Sequence, residues 1–115
     1  MTAKELVAKW KEVSLDTKVL SEKALMASAN NFLDLTGAWF KNEKKPENVT
    51  PTYMLRFSNN EHENLIAGIN EDNAAYEIMT NVLPNDMSYG VCELISVYYE
   101  NSHKHETVLG SLTIV

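Results

Sequence analysis

Thr52-Tyr53-Met54-Leu55-Arg56-Phe57-Ser58 alternates with a period of two, setting Tyr53, Leu55 and Phe57 against Met54, Arg56 and Ser58. That alternation predicts a half-buried β-strand. The chain before it is patterned differently. Thr2-Ala3-Lys4-Glu5 has the spacing of a capping box, and Leu6, Val7, Trp10 and Val13 follow at helical spacing. Ser14-Leu15-Asp16 interrupts that helix and offers a fresh cap for a second one, whose stripe is Leu15, Val19, Met26, Ala29 and Leu33. Lys18, Glu22 and Lys23 fall off the stripe, on the solvent side. Residues 32–40 read equally as the last helical turns or as a first strand, because Asn30-Asn31 and Gly37 weaken a helix. Residues 41–51, with two prolines and few apolar side chains, form a linker.

After the linker, strand signals continue. Asn59-Asn60 marks a turn, and Leu65-Ile66-Ala67-Gly68-Ile69 reads as a second strand closed by Asn70-Glu71-Asp72-Asn73. Residues 75–83 read as a third strand, with Tyr76, Ile78 and Val82 on one face, and Pro84-Asn85-Asp86 as the turn after it. Residues 89–99 and 107–115 are dense in β-branched and aromatic residues and predict two more strands, with 100–106 as the loop between them. The expected fold is α+β. N-terminal helices (1–40) pack on a mostly antiparallel sheet (52–115) of roughly five or six strands, in a single domain of 115 residues.

Charge divides at the same place as periodicity. Residues 1–45 hold eight of the ten basic residues and six acids, whereas residues 46–115 hold ten acids against only Arg56 and Lys104. A net charge of −6 without a broad basic stripe disfavours direct contact with a nucleic-acid backbone. The sheet's outer face and loops are expected to be negative. Cys92 is the only cysteine, so no intrachain disulfide forms, which fits a reducing, cytoplasmic setting. Neither a signal peptide nor an apolar run of membrane-spanning length is read in the chain.

Each candidate catalytic or metal-binding motif has a simpler structural reading. His103-Lys104-His105 beside Glu100 and Glu106 has metal-ligand residue types, but Lys104 repels a cation and no third ligand is indicated, so a solvated loop is expected. Cys92 lies in an apolar run and reads as a small hydrophobe. No carboxylate spacing matches glycoside hydrolysis or calcium binding. The glycines are scattered, without a phosphate-cradling loop. No catalytic residue, metal or cofactor is therefore assigned.

Gly37-Ala38-Trp39, followed by strands to the C-terminus, resembles the opening of a lipocalin-type barrel. That resemblance implies a small barrel or cup holding an apolar ligand, lined by residues such as Trp39, Phe57 and Ile95. The leading expectation is different. It is a non-enzymatic binding protein whose acidic surface meets a basic protein partner, such as a nucleic-acid-handling enzyme, in the manner of an immunity or phage counter-defence protein. The expected contact residues are Glu61, Glu63, Glu71, Asp72, Glu77, Glu93 and Tyr99. A small enzyme ranks last. The C-terminal strand, ending in Thr113-Ile114-Val115 without a charged tail, is expected at a sheet edge, where it can pair with a second copy as a homodimer.

Overall fold

The computed structural model of the chain describes residues 1–13, 20–82 and 89–114. Helix α1 spans Ala3–Val13 and α2 spans Glu22–Phe40. Strands β1 (Thr52–Ser58) and β2 (Glu63–Ile69) follow, then a one-turn helix α3 (Ala74–Glu77) running into a π-helical turn, Ile78–Val82. Strands β3 (Gly90–Glu100) and β4 (His103–Ile114) complete the chain. All strand pairs are antiparallel, in the order β2-β1-β3-β4. The fold is α+β as expected.

The local chemistry of the helix starts is legible. Thr2 Oγ1 accepts the Glu5 amide at 3.2 Å, and its hydroxyl donates to the Glu5 carboxylate at 3.1 Å. Helix α2 opens at Ser21, whose Oγ accepts the Ala24 amide at 3.1 Å. The expected fresh start at Ser14-Leu15-Asp16, with Lys18 and Val19, lies outside the described residues.

Residues 32–40 are helical, which resolves the ambiguity at the end of α2. Thr36, one residue before Gly37, turns its hydroxyl back onto the Phe32 carbonyl at 3.0 Å, so it is buried without an orphaned donor. The buried stripe of α2 runs Leu25, Ala29, Thr36, Trp39 and Phe40. Met26 and Leu33, expected on the stripe with Ala29, pack at its margin.

Two cores result, and α2 serves both. Its N-terminal half joins Leu6 and Val7 of α1 with Ala75 and Met79. Its C-terminal half lays Trp39 and Phe40 over Leu55, Phe57, Cys92, Leu94 and Leu109 of the sheet. The expectation that the N-terminal helices pack together on the sheet is therefore corrected. Helix α1 packs chiefly on α2, α3 and the π-helical turn.

Among the described residues four strands, not five or six, form the sheet, because the described part of the stretch expected as a third strand, residues 75–82, is helical. Ala74 and Ile78 face the sheet core while Ala75 and Met79 face the helical core. A segment wedged between two cores is apolar on more than one side, which erases the amphipathic stripe and mimics a buried strand. Asn70 and Asn73 build the turn before it. Asn70 Oδ1 accepts the Asp72 and Asn73 amides at 2.8 and 2.9 Å, and Asn73 Nδ2 donates to the Gly68 carbonyl at 2.9 Å. The expected turn at Pro84-Asn85-Asp86 lies outside the described residues.

The loop expected at 100–106 is also corrected. Glu100 pairs with His103, and the connection is the two residues Asn101 and Ser102, with φ of 51° and 67°. Both are left-handed, as a type I′ turn requires, and Asn tolerates that region best after glycine. The barrel resemblance does not carry into the fold. Gly37 and Trp39 lie within α2, and the sheet is open, with β2 and β4 as its edges.

Candidate binding surface

Strand register sorts the side chains onto two faces. Leu55, Phe57, Cys92 and Leu94 face α2. Met54, Arg56, Glu93 and Ile95, one residue out of phase, share the face turned away from it. Leu65 lies opposite Arg56, while Tyr99, Lys104, Glu106 and Val108 continue that face along the β3–β4 hairpin.

At the centre of this face Arg56 Nε donates to Glu93 Oε1 at 3.0 Å and Arg56 Nη1 donates to Glu106 Oε1 at 2.9 Å. Lys104 Nζ stands 3.7 Å from Glu106 Oε2. Hydrogen bonding to Glu93, more than any other cause, holds the Arg56 guanidinium charged above its ordinary range. Two cations and two carboxylates balance, so the middle of the sheet face is neutral rather than negative as expected. Around it stand Leu65, Tyr99 and Val108, 57%, 64% and 45% exposed.

The expected contact residues separate into distinct groups. Glu61 and Glu63 are exposed at one end of β2, in and just after a turn that Asn59 Oδ1 caps by accepting the Glu61 and His62 amides at 2.8 Å each. Glu71 and Asp72 are exposed beyond the other end of β2, roughly 20 Å away along seven strand residues. Glu77 sits half-buried on α3. Glu93 is engaged by Arg56, and Tyr99 is exposed but pairs across the hairpin with Lys104. The structure thus brings Glu61 and Glu63 together, and Glu71 and Asp72 together, along the β2 edge; it does not gather all seven.

A loop over residues 100–106 takes Glu106 off the sheet and hides its pairing with Arg56. The available signal was Asn101 between two apolar, β-rich runs, which marks a tight hairpin and puts Glu106 on the same face as Glu93. The histidines of that hairpin lie on the strand rather than in a loop. His105 stacks on Tyr98 with ring centroids 4.9 Å apart and planes 7° from parallel. Among the described residues no group of three or more His, Cys, Asp or Glu side chains is gathered in a way that could hold a metal ion. Cys92 is fully buried under α2, and burial pushes its thiol up to about 11. Among the described residues no helix is long and apolar enough to cross a membrane.

Comparison of the chain with known protein families, with curated proteins and with solved structures gives no match.

Proposed function

We propose that this is a non-enzymatic binding protein that meets a basic protein partner along its β2 edge, through Glu61, Glu63, Glu71 and Asp72. The observation that carries this reading is how the cations of the strand half are used. Arg56 and Lys104 are both spent on Glu93 and Glu106. Among the described residues, the ion pair recorded at those four edge acids is the chain's α-amine, 3.8 Å from Asp72. Exposed carboxylates without side-chain counter-ions create a negative field that steers a basic partner and speeds its association.

A partner site built to bind phosphates would accept such carboxylates in their place. That makes inhibition or neutralisation of a nucleic-acid-handling enzyme the most specific form of the proposal, and immunity or counter-defence its biological setting. The experiment is recovery of the partner from the host, identification by mass, and titration against salt. Affinity should fall steeply as ionic strength rises. Replacing the four acids by their amides should abolish binding. A partner with no basic surface, or one that binds equally well at high salt, would overturn the proposal.

A further inference from the structure

Strand β4 is an edge of the sheet, and a bond from outside the sheet divides its length. The Leu109 carbonyl, at the bulge, accepts Asn42 Nδ2 at 2.8 Å, so the edge is occupied at that point. Residues 103–108 lie before it. The turn decides which of their groups face outward. A two-residue turn with both residues left-handed is flanked by a pair that exchanges both backbone hydrogen bonds, here Glu100 and His103. Counting on from it, His103, His105 and Thr107 direct their amides and carbonyls toward β3. Lys104, Glu106 and Val108 direct theirs outward. The hairpin also outruns β1, whose pairing with β3 ends at Thr52 and Val97.

We propose that this edge pairs antiparallel with the same edge of a second copy of the chain, about a two-fold axis at His105, so that each Lys104 faces the partner's Glu106. Such a contact is self-complementary, as a two-fold interface must be. The neighbouring registers fail on charge or on space. An axis at Lys104 sets two ammonium groups opposite each other, and an axis at Glu106 sets two carboxylates opposite each other. An axis at Thr107 carries Lys104 onto the partner's Gly110, beyond the carbonyl that Asn42 occupies. The axis at His105 needs only residues 103–107 and gives two opposite-charge pairs. Within one chain Glu106 Oε1 is held by Arg56 and Oε2 stands 3.7 Å from Lys104 Nζ, an exposed contact that the second copy's lysine would share. A lysine on an edge ordinarily discourages pairing. Here its complement lies two residues further along the same strand.

Sedimentation and residue-resolved amide exchange on the whole chain test the pairing. In a series reaching roughly millimolar concentration, a dimer should form. The Lys104 and Glu106 amides should slow by several-fold as it forms. K104E and E106K should each be monomeric, since each sets like charges opposite one another. An equal mixture of the two should form a heterodimer, because all four facing charges then become complementary. Circular dichroism checks that E106K, which loses its Arg56 contact, remains folded; if it does not, K104E and the amide exchange decide alone. Three results would overturn the proposal: a wild-type chain monomeric throughout the series, a dimer whose Lys104 and Glu106 amides exchange at the monomer's rate, or a dimer that K104E leaves intact.

Discussion

The indole of Trp39 occupies the space that a side chain at position 110 would need. A methyl group added to Gly110 would overlap the indole ring. This contact locks the end of α2 to the β4 edge beside the bulge, next to the bond from Asn42 to Leu109. Glycine here serves a close approach between a helix and a strand rather than backbone freedom. G110A should therefore destabilise the fold by about 1–3 kcal/mol through overpacking, read as a lowered denaturant midpoint. An unchanged midpoint would mean that the indole moves aside freely.

Alkaline pH should weaken the fold through Cys92. Burial first, then the neighbouring Glu93, raises its thiol from 9.0 to about 11. Between those values the unfolded chain releases the proton that the folded chain keeps. The unfolded state then binds fewer protons, so stability falls as pH rises through that window, by on the order of 2 kcal/mol at its upper end. Tyr53 acts in the same direction, its hydroxyl raised by burial and then by Glu43. C92A should flatten the stability curve over that window. A C92A curve parallel to wild type would show that the thiol does not contribute.

Ser102 carries a left-handed φ of 67°, which costs a residue with a Cβ. S102G should stabilise the hairpin by roughly 0.5–1 kcal/mol, visible as a higher melting temperature and slower amide exchange in β3 and β4. Destabilisation would show that the Ser102 side chain does something beyond filling the turn.

Arg56 holds Glu93 and Glu106 together, and its removal leaves two carboxylates near each other. R56M keeps the stem packed on the sheet but loses the charge. The expected loss is on the order of 1 kcal/mol, small because water screens the partly exposed network. Chemical denaturation at low and high salt measures it, with the larger loss at low salt. An equal loss at both would point to packing of the arginine stem rather than to charge.

Where sequence signals were local, they carried into the structure. The Thr2–Glu5 cap, the period of two in β1, the 41–51 connection and the apolar runs of β3 and β4 each depend on residues a few positions apart. The acidic edge was legible only in part. Glu61, Glu63, Glu71 and Asp72 are exposed, but counting charges does not say that Arg56 leaves the acids of β2 and neutralises Glu93 instead. That choice depends on β1 pairing with β3, and on a hairpin register that brings Glu106 to the same face from fifty residues away.

The sequence by itself determined the α+β class, the division between a helical half and an acidic strand half, and the Thr2–Glu5 helix cap, because periodicity and capping are set by near neighbours. The tertiary structure alone decided that residues 74–82 coil into helix, that the sheet has four strands among the described residues, and that its central face is charge-balanced. The physical reason is burial on several sides. A segment shared by two cores loses the one-sided pattern from which its conformation is read, and a charge network spanning three strands exists only once they are side by side.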